Sequence, residues 1–239
     1  MSLVSEAKLL DALDEAPNEI EQVMAVLRST GHDPLELSLG TGDRLLLALA
    51  EELTNQPIEL TVDCPACGEM SMISISASEV AEHSPRTGLL GPGQGVREPT
   101  YQDLLELPAG DEQAVRTLGR RCYIGPAVSD VDLEPDVDFD PDIDLVPDID
   151  LDAVLAALDE VDGSLAGPLE AACFECGSPI LVEADMQRLA LRRLRLYAEA
   201  IDRDVHLLAS VYGWELATIQ ALPVARRRRL VQLIEAGRS

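Results

Sequence analysis

Aromatic side chains are scarce in this chain, since Phe, Tyr and Trp together make up 3% of its 239 residues. A core with few rings has to be filled by Leu, Ile, Val and Ala, and this composition favours packed helices over an aromatic-rich β-sandwich. The hydrophobic content of 46% is enough for one sizeable core or two small ones. The composition therefore predicts a folded, mainly helical protein.

Positive charge is also scarce, and it is unevenly placed. Lysine occurs once, and 18 Lys and Arg residues stand against 44 Asp and Glu residues, which gives a net charge of −26. Residues 186–239 nevertheless carry +5, because they hold ten arginines and five acids. The acid excess of the whole chain disfavours binding to nucleic acid phosphates or to an anionic membrane surface, so we expect neither as a partner.

We expect neither a secretory leader nor a membrane-spanning run. The first residues, MSLVSEAKLL, contain an early acid and do not follow the basic-then-apolar pattern of a signal peptide. No apolar run reaches the length that crosses a bilayer. We therefore expect the protein to work in the reducing cytoplasm.

Four of the five cysteines occur in two motifs of the same form, CPACG at 64–68 and CFECG at 173–177. Each motif places two thiolates on a tight turn, followed by a glycine that can adopt a positive φ. Two such knuckles supply four soft ligands, which prefer zinc to hard cations and leave no position open for a catalytic water. The sequence therefore predicts one structural Zn²⁺ ion. Its ligands are Cys64, Cys67, Cys173 and Cys176.

Other interpretations of the cysteines and histidines remain open at this point. The knuckles could be redox dithiols or could form disulfides, although a reducing compartment disfavours the latter. Cys122 is expected to be a small buried hydrophobe. His32, His83 and His206 complete no catalytic or metal-binding motif, and no Ser/His/Asp set or phosphate loop is present. We therefore expect no enzymatic activity and no small-molecule substrate.

The apolar spacing predicts an α+β fold, mainly α-helical, in which a split, zinc-ribbon-like pair of β-hairpins joins helical N- and C-terminal parts. The N-terminal helical region covers 1–56, and the discontinuous zinc-knuckle module covers 57–184. The hairpins of this module lie at 57–76 and 168–184. The insert 77–167 is predicted to hold a Gly/Pro-rich loop at about 83–98 and two short helices, 101–107 and 111–121.

The basic C-terminal region, 185–239, is predicted to contain a long helix that Gly213 ends, a short helix, and a last helix from 224 to about 236. The only tryptophan, Trp214, falls in a turn between helices, where we expect it to fill the core more readily than to form an exposed hot spot. The arginine run is either a solvated helix face or a partner contact. The candidate partner-binding residues are Trp214, Arg226, Arg227, Arg228 and Arg229.

An acidic hexad repeat lies at 130–152, within the insert. It reads PDVDFD, PDIDLV and PDIDLD, and it contains ten Asp, one Glu and no basic residue. A proline in every hexad removes the donors that a strand needs, so we interpret the repeat as a solvated acidic segment. Calcium binding is an alternative, although the Gly and terminal Glu of an EF-hand loop are missing.

Several stretches of the chain together resemble a known family. They are RLLLALAEELTNQPIELTVDCPACGE, TYQDLLEL with RRC, LEAACFECGSPILVEADMQRL, and HLLASVYGWELATIQALPVARRRRLVQLIEAG. This order is similar to that of the T-even-phage-type baseplate hub assembly chaperones of contractile phage tails and contractile injection systems. The resemblance implies a non-enzymatic assembly factor that binds baseplate hub or wedge proteins.

Three alternatives to a chaperone stay open from the sequence. The first is a stoichiometric structural subunit that is retained in the baseplate of the virion or injection particle. The second is a zinc-stapled nucleic-acid-binding or adaptor protein, in which the basic tail would have to overcome the acidic remainder. The third is a zinc-dependent hydrolase, which needs an open coordination position.

Overall fold

The computed structural model describes residues 4–125 and 150–237. It has the predicted α+β, mostly helical fold, and the chain divides into two compact units. Unit 1 comprises Met1–His32, Asp43–Ala81 and Leu165–Ser239, and unit 2 comprises Asp33–Gly42 and Glu82–Ser164. Most of unit 2 is thus inserted in the sequence between the two knuckles. Most of the acidic hexad repeat lies outside the described residues.

Unit 1 begins with two amphipathic helices, α1 (Glu6–Glu15) and α2 (Glu19–Ser29). Their first turns are capped by Ser5 and Asn18, whose side chains accept hydrogen bonds from backbone amides three residues on. Helix α3 (Leu39–Thr54) follows, and its first four residues belong to unit 2. The N-terminal helices predicted from the apolar spacing are therefore present.

Two antiparallel hairpins carry the knuckles of unit 1. Strands β1 (Ile58–Asp63) and β2 (Met70–Ile75) pair with Asp63 opposite Met70. Strands β6 (Ala166–Ala172) and β7 (Pro179–Asp185) pair with Ala172 opposite Pro179. Each hairpin is a separate two-stranded sheet, so its tip is the turn that holds a cysteine pair.

The C-terminal part of unit 1 contains three helices, as predicted: α7 (Met186–Tyr212), α8 (Leu216–Gln220) and α9 (Val224–Ala236). Helix α7 packs on α1, α2 and α9. It ends at Gly213, whose φ of 64° gives the left-handed cap that favours glycine. The small core that joins the three helices consists of Leu208, Ile219, Val231 and Ile234.

Unit 2 is built on a three-stranded antiparallel sheet with the order β3 (Thr87–Gly91), β4 (Gln94–Arg97) and β5 (Tyr123–Ile124). Its helices are α4 (Tyr101–Leu105), α5 (Asp111–Cys122) and α6 (Leu151–Val161), and a 3-10 turn spans Pro34–Glu36. Helix α6 covers β3 and β4. The buried core consists of Val96, Cys122, Val154, Leu158 and Val161.

Two features of unit 2 differ from the sequence prediction. The segment predicted to be a Gly/Pro-rich loop at 83–98 contains β3 and β4, and helix α6 was not predicted. Gly88 explains the first difference, because a Cβ at this position would lie 3.1 Å from side-chain atoms of Val161 and of Val96. The glycine is needed where α6 approaches the sheet closely, and it does not mark a loop.

Buried polar groups hold unit 2 together. Asp103 accepts hydrogen bonds from the Arg97 guanidinium at 2.6 and 2.9 Å and from Arg121 Nε at 3.1 Å. A second buried pair joins His83 Nε2 to Glu98 Oε2 at 2.6 Å. The carboxylates of Asp103 and Glu98 are buried, so removal of their partners would leave these acids uncompensated.

None of the helices in residues 4–125 and 150–237 combines the length and the apolar character needed to cross a bilayer.

Candidate metal centre

The two knuckles have the same backbone turn. In the first, Cys64 N donates to Glu69 O at 2.9 Å and Gly68 N donates to Cys64 O at 2.9 Å. In the second, Cys173 N donates to Ser178 O at 2.8 Å and Gly177 N donates to Cys173 O at 2.9 Å. The two glycines have φ values of 74° and 71°, which disfavour any residue with a Cβ. The CxxCG motif therefore specifies this turn locally.

The two turns bring four sulfur atoms together. Cys64 Sγ lies 3.7 Å from Cys176 Sγ, and Cys67 Sγ lies 3.7 Å from Cys173 Sγ. All four sulfurs lie within 4.8 Å of one another. An ion with four tetrahedral Zn–S bonds of about 2.3 Å sets its sulfurs about 3.8 Å apart, whereas a disulfide needs about 2.05 Å. The spacing fits a shared metal ion.

The cluster rests on an apolar base and is open to solvent on one side. Cys64 and Cys173 are 2% and 3% exposed, and they pack with the buried side chain of Ile180. Cys67 and Cys176 are exposed. Val62 and Val182, one from each hairpin, complete the base. The inner faces of the two hairpins therefore fix the positions of the sulfurs on the buried side of the cluster.

Hydrogen bonds give the thiols unequal acidities. The Ser71 hydroxyl donates to Cys173 Sγ at 3.5 Å and, together with backbone amides, lowers the pKa of Cys173 to about 6. The Ser178 side chain has the same effect on Cys176 and lowers its pKa. At Cys67, a backbone hydrogen bond from Glu69 lowers the pKa, but desolvation and the neighbouring sulfurs raise it to about 12. Zinc binds thiolates, so the protons that remain on the cluster leave when the ion binds.

The donor set fits one structural Zn²⁺ ion. Thiolate sulfur is a soft ligand that selects zinc over magnesium or calcium, and four thiolates fill the coordination number that zinc prefers in structural sites. A catalytic zinc site keeps one position for water or substrate, which a complete thiolate set does not offer. The cofactor predicted from the sequence is therefore the one that this site accommodates.

The fifth cysteine and the histidines lie apart from the cluster. Cys122 is fully buried in the core of unit 2, and this desolvation raises the pKa of its thiol to about 11. His83 pairs with Glu98, and His32 Nδ1 lies 2.7 Å from the Thr30 hydroxyl. Within residues 4–125 and 150–237, no other group of three or more His, Cys, Asp or Glu side chains converges on one point.

Trp214 is placed on the surface, so the expectation that it fills the core is wrong. The side chain is 36% exposed and its ring stacks on Tyr212, with centroids 4.7 Å apart and planes at 20°. The left-handed turn at Gly213 separates the two aromatic residues in sequence and brings their rings together. The core below is filled by aliphatic side chains instead.

The four arginines of α9 do not act as one group. Arg227 is 2% exposed, and its Nη2 lies 2.6 and 2.5 Å from the two carboxylate oxygens of Glu6. Arg228 lies over the Tyr197 ring, with 5.8 Å from Cζ to the ring centroid. Arg226 and Arg229 are exposed. Arg227 thus joins two helices of unit 1 and offers no surface to a partner in this conformation.

Trp214 and Arg228 contact different parts of α7. Trp214 stacks on Tyr212, at the end of the helix, whereas Arg228 contacts Tyr197. Fifteen residues of helix correspond to roughly 22 Å. Trp214 and Arg228 therefore belong to two separate surfaces.

Comparison of the chain with protein-family models, with curated proteins and with solved structures gives no match. The resemblance to the baseplate hub assembly chaperones thus remains a prediction from the sequence motifs.

Proposed function

We propose that this protein is a non-enzymatic assembly factor for the baseplate hub of a contractile phage tail or a related contractile injection system. It binds baseplate hub or wedge proteins in the cytoplasm, and the zinc ion holds its fold together. The knuckles and the C-terminal helices resemble those of the hub assembly chaperones, and this resemblance supports the assignment of the protein to a contractile tail or injection system.

The observation that carries the proposal is an exposed apolar corner at the end of α7. Its members are Val211, Tyr212, Trp214 and Leu216, which are 44%, 40%, 36% and 54% exposed. Large apolar side chains that cluster on a surface are typical of protein interaction sites, and Trp and Tyr dominate the binding energy of such sites. We call these four residues the aromatic corner.

Stacking makes the aromatic corner suited to binding. The rings of Tyr212 and Trp214 already contact each other, so neither has to be ordered when a partner arrives. Less side-chain entropy is then lost on association. The chain has only seven aromatic residues, and two of them lie side by side on the surface. This placement favours a role in binding.

The metal centre favours a binding role over catalysis. Four thiolates complete the coordination of a structural zinc ion, so the ion has no position at which it could activate a water molecule. The alternative of a stoichiometric baseplate subunit rests on the same aromatic corner. It differs from the chaperone in one respect, which is whether the chain remains in the finished particle.

The test is co-expression with the products of the neighbouring tail genes, followed by affinity purification and zinc quantification on the same sample. We expect one zinc per chain and a co-purified hub or wedge protein. The W214A/Y212A double variant should lose the partner and keep its zinc, because the corner lies apart from the knuckles. L89A is the matched control, since Leu89 is an exposed apolar residue of unit 2, at 89%.

Each result has a distinct meaning. Retention of the partner by W214A/Y212A, or its equal loss from L89A, would reject the aromatic corner as the binding surface. Zinc-loaded protein that captures no tail protein would contradict the assembly role itself. Presence of the chain in purified, complete particles would favour the structural subunit over the chaperone.

A further inference from the structure

Helix α9 has two sides of different character. Its inner side buries Arg227, Val231 and Ile234. Arg226, Arg229 and Leu233 follow one another at spacings of three and four residues, so they lie along one line on the outer side of the helix. All three are exposed, Leu233 to 60%. We call these three residues the cationic stripe.

The arginines of the cationic stripe have no ion-pair partner among the described residues. Neither the Arg226 nor the Arg229 side chain makes a hydrogen bond or an ion pair with any residue in the described part of the chain. The one acid of α9, Glu235, lies seven residues after Arg228 and therefore on the flank that faces α7. The stripe thus presents two uncompensated charges beside an apolar side chain.

Three of the five arginines of α7 behave differently. Arg195 Nη1 lies 3.2 Å from Glu19 Oε1, and Arg188 Nε lies 3.6 Å from Glu19 Oε2. Arg193 Nη2 donates to Gln56 Oε1 at 2.9 Å. These side chains hold α7 to other parts of unit 1. The described part of the chain offers no carboxylate partner to the side chains of Arg226 and Arg229, so these side chains are available to a carboxylate from elsewhere.

Leu233, the apolar member of the stripe, limits the kinds of partner that fit this surface. A partner that offered only negative charge, such as duplex DNA, would leave Leu233 uncovered. The stripe rises by about 10 Å from Arg226 to Leu233, a distance that three to four residues of extended chain cover. A short protein segment that combines carboxylates with an aliphatic side chain complements both the charges and the leucine.

We propose that the cationic stripe docks an acidic segment of a partner protein, whose carboxylates pair with Arg226 and Arg229 while an aliphatic side chain packs on Leu233. This inference rests on the proposed function for the existence of a protein partner. It adds a second contact surface and states the chemistry of what binds there. Charge pairs of this kind steer and orient a partner, whereas the aromatic corner supplies apolar contact.

The experiment uses the full chain and a fluorescent peptide of six Asp-Leu repeats, with a peptide of six Asp-Ser repeats as the charge-matched control. Fluorescence anisotropy is measured at roughly 50 and 500 mM NaCl, which brackets the range over which salt screens exposed charges. We expect the Asp-Leu peptide to bind and the Asp-Ser peptide to bind several-fold more weakly. Higher salt should weaken both.

Variants test the residues. R226E/R229E should bind the Asp-Leu peptide about tenfold more weakly or worse, since two attractions become repulsions. L233S should weaken the binding of the Asp-Leu peptide and leave the binding of the Asp-Ser peptide unchanged. The matched control is R192E/R203E, which makes the same change of charge at two exposed positions of α7 and should stay within about threefold of the wild type. Circular dichroism of each variant verifies that it is folded.

Four results would overturn the proposal: equal binding by the wild type and R226E/R229E, an equal loss in R192E/R203E, equal binding of the two peptides, or tighter binding of a DNA duplex than of the Asp-Leu peptide. Tighter peptide binding after deletion of residues 130–149 would overturn it as well, because the stripe would then belong to the chain's own acidic segment. The peptide-binding experiment contains no baseplate protein. A negative result would therefore reject this inference without bearing on the co-purification test of the proposed function.

Discussion

Glu6 and Arg227 are separated by 221 residues, yet the arginine places one nitrogen between the two oxygens of the glutamate, at 2.6 and 2.5 Å. Tyr197 donates a third hydrogen bond to the same carboxylate, at 3.0 Å. One charge cluster therefore joins α1, α7 and α9. This contact attaches the C-terminal helix to the N-terminal one, and the sequence of either helix alone does not predict it.

Replacement of Arg227 by methionine should lower the free energy of unfolding by about 3 kcal/mol, because Glu6 would be left without its partner in a largely buried site. R226M is the control, since its side chain is exposed and its loss should cost under about 0.5 kcal/mol. Urea unfolding followed by circular dichroism measures both. The double variant E6L/R227M should regain part of the loss, and no recovery would show that packing, rather than charge, dominates at this site.

Loss of two zinc ligands should unfold the knuckle module. Zinc connects residues about 110 positions apart, and by analogy with a disulfide this closure is worth about 4 to 5 kcal/mol. We expect one zinc per wild-type chain, none in C64S/C176S, and a lower melting temperature for the variant. C122A should keep its zinc, because the Cys122 thiol lies in the core of unit 2. Zinc bound in full to C64S/C176S would contradict the ligand assignment.

The knuckle glycines should not tolerate alanine. Gly177 has a φ of 71°, and a Cβ in that conformation costs about 1 kcal/mol through backbone strain, although no atom lies within 4 Å of the position. G177A should therefore bind zinc more weakly in a competition with a chelator. G237A is the control, since Gly237 has an ordinary φ of −78°. Equal zinc affinities would mean that the turn relaxes without cost.

Asp103 should make unit 2 sensitive to acid. Burial alone would raise the pKa of this carboxyl, but the hydrogen bonds from Arg97 and Thr100 outweigh burial and hold the pKa well below its usual value. A depressed pKa stabilises the fold above about pH 4, the pKa of an unfolded Asp, and this stability is lost as the pH falls further. The protection of β4 and α5 amides against hydrogen exchange should fall steeply below about pH 4.

The D103N variant supplies the comparison for this pH dependence. It should be less stable than the wild type near neutral pH and should lose less protection on acidification, because it has no carboxylate to protonate. E82Q removes an exposed carboxylate of the same unit and should keep the wild-type profile. The readout is limited to unit 2, since acid also protonates the cysteines of unit 1. An unchanged profile in D103N would exclude Asp103 as the acid-sensitive group.

The sequence predicted the parts of the fold that local chemistry determines. Two thiolates and a glycine within five residues specify a knuckle, and the zinc ligands could be named because two such turns occur. The capping residue Asp185 and the terminating Gly213 likewise limit α7 from both ends. These signals need no knowledge of distant residues.

The parts that could not be predicted depend on distant contacts. Arg227 stands in a run of four arginines, and only Glu6 distinguishes it from its neighbours. Gly88 looks like part of a loop in the sequence, because the helix that packs against it is more than 60 residues further along the chain. Trp214 was expected inside because tryptophan is large and apolar, but the three helices close their core with aliphatic side chains.

The insertion of unit 2 between the knuckles also determines the order of events during synthesis. The ribosome makes Cys67 and then more than a hundred further residues before it reaches Cys173, which takes roughly 5 to 20 s at ordinary translation rates. Through that interval the first knuckle can offer a metal only two sulfurs. Most of unit 2 is therefore made, up to Ser164, while the zinc centre still lacks half of its ligands. In a zinc-starved cell the finished chain would keep a complete unit 2 beside an empty zinc centre.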